Sequence, residues 1–235
     1  MSAFAVRGLV KRYGGVSALC GCSLEIDAPG IYGLIGPNGA GKTTLFDVVT
    51  GITEPDAGSV TIDGREVTGV VPHRLARLGL ARTFQECRVF PEFTCLDNLM
   101  FAPRVAGNAR GAHAEAMRLL DLVNLAHFAD ESAATLSFGQ RRLLELVGVF
   151  MLRPRILMLD EPAAGVNPAL LEVLSAFIGR MYEERPCLFL VVEHNMEFIM
   201  SLAREIVVMH EGRVLERGSP EAIQSSPRVM EAYLG

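Results

Sequence analysis

The chain of 235 residues carries 22 basic and 27 acidic side chains, and its net charge of −5 argues against nucleic acid as the main partner, because phosphate binding needs a basic face. Half of the residues are hydrophobic, which excludes a disordered chain, yet no stretch approaches the ~18 consecutive apolar residues of a membrane-spanning helix. Residues 1–4 lack the basic and apolar regions of a signal peptide, and the five cysteines are an odd number. We therefore expect a chain that stays inside the cell and has no disulfide framework.

Apolar runs that suit strands covered on both faces alternate with helical periodicity along the chain. The runs occupy residues 31–35, 156–159, 187–192 and 206–209. Apolar side chains repeat at i, i+3, i+4 and i+7 in two further segments: Ala116, Leu119, Leu120 and Val123, and Leu174, Phe177, Ile178 and Met181. This alternation predicts an α/β fold around a parallel sheet.

Three other patterns predict a hairpin and additional helices. Residues 60–67 surround Asp63-Gly64, which predicts a tight turn and therefore a small antiparallel sheet beside the parallel one. Residues 86–135 carry no parallel-strand pattern, and we expect them to be mainly helical. Ser219 before Pro220 predicts the start of a last helix, with the serine as N-cap and the proline at the first helical position.

The strongest local signal is a phosphate-binding loop that follows the run at 31–35 and precedes a helical run. It matches G-x4-G-K-[ST] and consists of Gly36, Pro37, Asn38, Gly39, Ala40, Gly41, Lys42, Thr43 and Thr44. Its glycines let successive backbone N–H groups point at phosphate oxygens, and the helix N-terminus adds partial positive charge. Lys42 is placed to supply a point charge to the β- and γ-phosphates of a nucleotide, and the Thr43 hydroxyl to bind Mg²⁺.

Further polar residues follow other predicted strands. Asp160 and Glu161 end the run at 156–159, where the first is placed to hold Mg²⁺ and the second to polarise the attacking water as a general base. An apolar strand followed by aspartate is a weak signal alone, and it gains meaning after a phosphate-binding loop. Gln85 follows a predicted strand and can reach Mg²⁺ or the water. His194 ends the next apolar run, where its imidazole could contact a γ-phosphate.

Residues 136–140 open a long helix that we predict over 141–152, with Ser137 as its N-cap. The serine hydroxyl, the N–H of Gly139 and the helix dipole together make a second anion site. An ordinary N-cap without a ligand would have the same sequence. The position of this segment upstream of Asp160 favours the functional interpretation.

In this order the motifs resemble those of the ATP-binding-cassette (ABC) ATPases, and the resemblance covers nearly the whole chain. It implies a P-loop NTPase fold with a RecA-like parallel sheet, a small antiparallel β subdomain and a helical lobe. It implies one domain over 1–235, with a catalytic core in 1–85 and 154–235 and a helical lobe in 86–153. The helical lobe carries the family's signature motif, which corresponds to residues 136–140. ATP and Mg²⁺ are the implied cofactors.

The family arrangement implies a partner for each site. Two cassettes face each other head to tail, so Ser137, Gly139 and Gln140 of the signature would bind ATP held by the other subunit. Tyr13 occupies the place of the aromatic residue that stacks on adenine. Residues 164–167 correspond to the D-loop, the segment that follows the two carboxylates.

Four segments resemble more narrowly the ATPase subunits of branched-chain amino-acid importers. They are residues 82–85, 159–168, 192–196 and 231–235. This resemblance implies a bacterial uptake system with a second ATPase, transmembrane permease chains and a periplasmic binding protein. It places the chain at the cytoplasmic face of the inner membrane.

The chain departs from that subfamily in three places. Asn195 stands where aspartate usually follows the histidine, and Phe138 stands where the signature commonly has glycine. The stretch between Asn98 and Leu136 is shorter than the subfamily pattern. Since this stretch belongs to the lobe that touches the permease, the shortening leaves the transported solute open, with urea and related amides as alternatives to amino acids.

Three other functions fit parts of the sequence. A lipopolysaccharide-export-type ATPase shares the short single cassette, but residues 82–85 and 163–167 favour the importer. A soluble phosphotransferase would use the phosphate-binding loop and would not need residues 136–140 or His194. A cassette that acts on DNA or ribosomes usually has a second cassette, a long coiled-coil insertion or a basic face, and the sequence contains none of these.

Overall fold

Two sheets, covered by helices, organise the structure. The computed structural model describes residues 3–105 and 111–234; residues 1–2 of the N-terminal sequence, 106–110 of the expected helical lobe and Gly235 of the closing segment lie outside the described residues. The strands are β1 (Phe4–Tyr13), β2 (Val16–Ile26), β3 (Gly30–Ile35), β4 (Ala57–Ile62), β5 (Arg65–Glu66), β6 (Leu80–Arg82), β7 (Ile156–Asp160), β8 (Leu188–Val192), β9 (Glu205–His210) and β10 (Arg213–Gly218). The helices are α1 (Lys42–Val49), α2 (Pro72–Arg77), α3 (Cys95–Val105), α4 (Ala112–Leu122), α5 (Phe138–Phe150), α6 (Pro168–Glu184), α7 (Met196–Leu202), α8 (Pro220–Gln224) and α9 (Pro227–Leu234).

The larger sheet has the strand order β10-β9-β3-β8-β7-β6. Its neighbours from β9 to β6 are parallel, and β10 is antiparallel to β9. The four apolar runs of the sequence lie in β3, β7, β8 and β9, which confirms the predicted α/β fold. The sequence does not predict β10, because this edge strand has only two consecutive apolar residues, Val214 and Leu215, between charged ones.

Successive side chains of the parallel strands face two separate cores, as strand geometry requires. Ile31 and Ile35 of β3 pack in a cluster with buried residues of α3 to α7. Tyr32 and Leu34 pack on the opposite face with α1 and with the smaller sheet. Both faces are therefore covered, which explains why the central strands are continuously apolar.

The smaller sheet is antiparallel and has the order β2-β1-β4-β5. Asp63 and Gly64, with φ of 48° and 74°, form the tight turn between β4 and β5, so the predicted hairpin is confirmed. The sequence does not predict β1 and β2. Their pairing contains several register shifts, and such irregular strands give no clean period-2 pattern.

The helices differ from the sequence expectation in two places. Helix α5 starts at Phe138 rather than at residue 141, because Ser137 caps it directly. Residues 83–94 form an irregular segment rather than a helix, although α3 and α4 follow as expected. Helix α8 begins at Pro220 with Ser219 as its N-cap, as predicted. Within 3–105 and 111–234, no helix combines the length and apolarity needed to cross a membrane.

Candidate functional site

The carboxyl ends of three adjacent parallel strands bring most of the predicted site residues together. Strands β3, β8 and β7 are neighbours in the sheet. The phosphate-binding loop follows β3, His194 follows β8, and Asp160 and Glu161 lie at the end of β7. In open α/β sheets this edge is where ligands bind.

The backbone of the phosphate-binding loop requires its glycines. Gly41 has φ of 98° and is the N-cap of α1, and a Cβ at this position would collide with the Ala18 carbonyl oxygen. Gly36 has φ of 151°, and a Cβ there would collide with the Met209 carbonyl oxygen. No side chain caps the first N–H groups of α1. These groups and the helix dipole are therefore available to an anion.

Lys42 is buried against the same loop. Its Nζ donates hydrogen bonds to the carbonyl oxygens of Gly36 at 2.7 Å and Pro37 at 3.0 Å. Desolvation by burial lowers the pKa of Lys42, and the charges of Glu161 and Asp160 oppose the shift. Thr43, the next residue, is exposed at the start of α1. The lysine is thus held at the loop, between its carbonyls and the two carboxylates.

Asp160 is held by the segment at the end of β6. Its Oδ2 accepts a hydrogen bond from an Arg82 guanidinium nitrogen at 2.8 Å, and its backbone N–H donates to the Thr83 hydroxyl at 3.1 Å. The sequence does not predict these contacts, because they depend on the pairing of β6 with β7. They fix the orientation of a carboxylate that is almost completely buried.

Glu161 lies in a strained backbone position beside His194. Its φ of 49° is rare for a residue with a side chain, and its N–H donates to the Val192 carbonyl oxygen at 2.9 Å. The His194 Nε2 lies 3.1 Å from the Glu161 Oε1. The strained turn therefore points the carboxylate at the imidazole that follows the neighbouring strand.

Glu193 is a buried residue that hydrogen-bonds to the loop after β7 and to the loop after β8, and the sequence does not predict this role. Its buried carboxylate accepts hydrogen bonds from the backbone N–H groups of Ala163, His194 and Asn195 at 2.7, 3.1 and 3.3 Å. Desolvation raises the pKa of Glu193, and these hydrogen bonds oppose the shift. This residue links the loop after Asp160 and Glu161 to the loop that carries His194.

Gln85 is exposed, and its backbone rather than its side chain is held. Arg142 of α5 donates hydrogen bonds to the carbonyl oxygens of Phe84, at 2.7 Å, and of Gln85. Glu145, one turn further along α5, accepts from the Arg88 N–H at 3.1 Å. Helix α5 therefore fixes the segment that carries Gln85, a connection that the sequence does not predict.

The signature segment lies against the start of α6. The Ser137 hydroxyl accepts from the Gln140 N–H at 3.3 Å, and the Gln140 Oε1 accepts from the Ser137 N–H at 2.9 Å, which forms a capping box. A Cβ on Gly139 would lie 2.7 Å from Leu170. Across the described residues, no hydrogen bond joins Ser137, Gly139 or Gln140 to the phosphate-binding loop.

Two tyrosines outside the phosphate-binding loop, Tyr13 on β1 and Tyr233 on α9, lie on elements that flank the site in the chain. Tyr13 ends β1, and its side chain is half exposed. Strand β2, which pairs with β1, carries Ala18, and the Ala18 carbonyl oxygen lies where a Cβ on Gly41 would be. Burial raises the pKa of the Tyr233 hydroxyl on α9, and the backbone of Gly36 opposes the shift.

The residues present fit a nucleotide with Mg²⁺. The loop at 36–44 leads into the first N–H groups of α1, which no side chain caps, and such free backbone N–H groups suit phosphate oxygens. Thr43, Asp160 and Gln85 offer hydroxyl, carboxylate and amide oxygens, and hard oxygen ligands suit Mg²⁺. No cluster of three His, Cys, Asp or Glu ligands occurs in the described ranges, so the donor set does not resemble a transition-metal site.

Comparisons with known proteins give consistent matches. The model of the ABC transporter family matches residues 19–164, and that of the branched-chain amino acid ATP-binding cassette transporter matches 213–235. The high-affinity branched-chain amino acid transport ATP-binding protein BraF of Pseudomonas aeruginosa is 42% identical, over 98% of this chain and 96% of its own. The protein LivG of Escherichia coli K12, of the same description, is 36% identical over 98% and 97%. The ADP conformation of MJ1267, an ATP-binding cassette of an ABC transporter, is 28% identical with a TM-score of 0.87, over 100% and 99%.

Proposed function

Because the chain belongs to the ABC transporter family of ATP-binding proteins, we propose that it hydrolyses ATP to drive the import of branched-chain amino acids. The observation that carries the ATPase half of this proposal is the pair Glu161–His194 beside the phosphate-binding loop. The pair sets a carboxylate and an imidazole at the edge where the loop would hold a terminal phosphate. A pure binding module would not need this pair.

Binding of ATP is assigned to the loop, Lys42 and Tyr13. The N–H groups at residues 36–44 bind phosphate oxygens, and Lys42 exchanges its carbonyl contacts for the β- and γ-phosphates. The half-exposed ring of Tyr13 stacks on the adenine. Thr43, Asp160 and Gln85 would hold Mg²⁺, which supplies charge neutralisation at the phosphates when it is bound.

Hydrolysis is assigned to Glu161 with His194. The Glu161 carboxylate accepts a proton from the attacking water, which is the role of a general base. The Nε2 of His194 lies 3.1 Å from the Glu161 Oε1, and a hydrogen bond between the two side chains fixes the orientation of the carboxylate. Glu193 keeps the two loops in register, because it binds the backbone of both.

A second cassette completes each site in this proposal. Ser137, Gly139 and Gln140 lie at the N-terminus of α5, and within the described residues they make no hydrogen bond to the chain's own phosphate-binding loop. The Ser137 side chain is exposed there, so the helix dipole and the hydroxyl can meet an anion that another subunit presents. We assign that role to a head-to-tail partner of the same kind, identical or homologous.

A groove beside the Gln85 segment suits a permease. Two cavities of about 450 and about 200 Å³ form one groove, because they share four lining residues: Arg82, Phe84, Arg88 and Leu152. At its rim Phe90 and Phe93 are 55% and 46% exposed. An amphipathic helix in an apolar groove is an ordinary mode of recognition. We place a cytoplasmic helix of the permease here, which puts the chain at the cytoplasmic face of the inner membrane with a periplasmic binding protein on the other side.

The solute is inferred from the relatives. BraF and LivG are described as branched-chain amino acid transport proteins, and they align over nearly the whole chain. The C-terminal match at 213–235 points to the same group. That segment includes α8 and α9.

Uptake measurements test both halves of the proposal. Deleting the gene in the source cell should abolish uptake of radiolabelled leucine, isoleucine and valine and spare lysine. The wild-type gene should restore uptake, and a Lys42→Ala gene should not. The purified wild-type chain should release phosphate from ATP. Phosphate release together with unchanged branched-chain uptake in the deletion strain would refute the solute and keep the ATPase, whereas the absence of phosphate release would refute the ATPase itself.

A further inference from the structure

Arg82 lies at the centre of a buried network beside the proposed metal site. One guanidinium nitrogen lies 2.8 Å from the Asp160 Oδ2. The other lies 2.5 Å from Asp47 Oδ1 and 3.3 Å from the Thr50 hydroxyl, both near the end of α1. A single side chain thus ties the carboxylate at the end of β7 to the helix that follows the phosphate-binding loop.

The guanidinium group of Arg82 is held by two aromatic rings as well as by the hydrogen bonds at its nitrogens. The rings of Phe46 and Phe84 lie 5.5 and 5.1 Å from the guanidinium carbon of Arg82, and its side chain is only 7% exposed. Phe84 directly precedes Gln85. The same arginine therefore contacts the elements that carry all three proposed metal ligands: α1, β7 and the Gln85 segment.

Stability alone does not account for this network. A buried ion pair is usually no more stabilising than apolar packing of the same volume. The Arg82 Nε is also buried without a hydrogen-bond partner in the described part of the chain. The arrangement does give a definite geometry: with Oδ2 bound to Arg82, the other oxygen of Asp160 accepts no hydrogen bond from the described residues.

We propose that Arg82 is a positioning residue for the metal site: by holding Oδ2 of Asp160 and joining it to Asp47, it leaves Oδ1 turned towards the metal that accompanies the nucleotide. This inference rests on the proposed nucleotide site. Groups that orient a metal ligand typically change metal affinity by about 10- to 100-fold when they are removed. The effect should fall on the metal and spare the binding of nucleotide to the loop.

Two titrations separate these effects. The dissociation constant of the non-hydrolysable analogue AMP-PNP is measured by calorimetry in excess EDTA and in excess Mg²⁺. The ratio used here is the dissociation constant in EDTA divided by the dissociation constant in Mg²⁺. By linkage, this ratio reports how much more tightly Mg²⁺ is held by the protein–nucleotide complex than by free nucleotide. The variants are Arg82→Met, which removes the charge and keeps the stem, and Arg82→Lys, which keeps the charge and loses the second contact.

Arg118→Met is the matched control, because Arg118 also bridges two carboxylates, those of Glu115 on α4 and Glu184 on α6. We expect Arg82→Met to lower the ratio about 10- to 100-fold, Arg82→Lys to lower it less, and Arg118→Met to leave it unchanged. Affinity in EDTA should stay within about twofold of wild type in all three variants, since the loop at 36–44 is intact.

Each other outcome has a definite meaning. An unchanged ratio in folded Arg82→Met overturns the inference, and so does a parallel loss of affinity with and without Mg²⁺, which would indicate a purely structural role. If Arg82→Met does not fold, the double variant Asp47→Asn/Arg82→Met is titrated in the same way. This variant removes the charge of one of the two carboxylates that lose their partner. The same two results then overturn the inference. Failure of wild type to bind AMP-PNP would instead refute the proposed nucleotide site.

Discussion

The carboxyl edge of the parallel sheet and the groove beside Gln85 are built on opposite principles. At the edge, the carboxylates have specific partners: Asp160 has Arg82, Glu161 has His194, and Glu193 has three backbone N–H groups. At the groove, the rings of Phe90, Phe93 and Phe101 pack edge to face at 5.1–6.1 Å, with much of Phe90 and Phe93 exposed.

The carboxylates at the edge act through a fixed orientation, whereas the aromatic residues at the groove act through the exposed apolar area that they offer to a partner. A hydrogen-bonded carboxylate keeps one geometry before the ligand arrives, which is what electrostatic catalysis requires. An exposed aromatic cluster gains its energy only when a partner covers it. Substitutions at the edge should therefore alter chemistry without altering assembly, and substitutions at the groove should do the reverse.

The largest expected effect tests the edge. Glu161→Gln keeps the shape of the side chain and removes its basicity, so ATP turnover should fall by about 10²- to 10⁴-fold, the usual contribution of a general base. ATP binding should persist, because the loop and Lys42 are untouched. Phosphate release measures the first effect and calorimetry the second.

Glu172→Gln on the exposed face of α6 is the control and should be silent. Turnover of Glu161→Gln within about threefold of wild type, a barrier change of only ~0.7 kcal/mol, would show that another group acts as the base.

The second effect tests the groove. Phe90→Glu places a charge on an aromatic side chain that is 55% exposed and that the permease helix would cover, so binding to the permease should weaken by about 30-fold or more, as for an aromatic anchor residue of an interface. ATP affinity should not change. Co-purification with the permease subunits and nucleotide titration check the two statements.

Met230→Glu on α9 is a suitable control, because Met230 is 50% exposed and lies outside the groove. Retained assembly of Phe90→Glu, or loss of assembly by both variants alike, would move the docking surface elsewhere.

The third prediction concerns Tyr13, whose half-exposed ring is assigned to the adenine of the nucleotide that the loop binds. Tyr13→Ala should weaken ATP binding by ~1–3 kcal/mol, or about 5- to 150-fold, if base–aromatic stacking is its role. Tyr13→Phe keeps the ring and should bind as wild type does. Equal affinities for all three proteins would leave Tyr13 as an ordinary surface residue.

The sequence predicts the residues at the carboxyl edge of the sheet much better than those of the groove. The phosphate-binding loop, Asp160, Glu161 and His194 follow apolar runs directly, so local patterns place them at the same sheet edge. The central strands are equally readable, since burial on both faces makes them continuously apolar.

Contacts between elements distant in sequence could not be read in this way. Arg82 meets Asp160 across 78 positions of chain, and Arg142 meets Gln85 across 57. Both contacts depend on sheet register and helix packing, which no spacing encodes. The strands β1 and β2 were missed for a related reason: their bulged pairing breaks the alternation on which strand prediction depends.

The smallest expected effect is a pH dependence of stability at Glu193. Desolvation raises its pKa in the folded chain, so folding favours the protonated carboxyl. Its contribution to the free energy of unfolding is therefore fully present below the unfolded pKa and is lost as pH rises through the higher folded pKa. Glu193→Gln cannot titrate. Its stability relative to wild type should accordingly improve as pH rises through that window, on top of a constant loss from the hydrogen bonds that an amide cannot accept.

Urea unfolding at several pH values above 4 measures this difference, and the slope rather than the offset is diagnostic. Glu145 on α5 provides a parallel case, since burial also raises its pKa, and Glu145→Gln should change the slope in the same direction. Glu197→Gln on the exposed face of α7 should leave the slope as in wild type. A slope unaffected by Glu193→Gln would mean that the three backbone N–H groups cancel the effect of burial and leave the pKa of Glu193 the same in the folded and unfolded chain. A change of slope in the opposite direction would mean that these N–H groups outweigh burial and lower the pKa, so that folding favours the ionised carboxylate at the edge of the sheet.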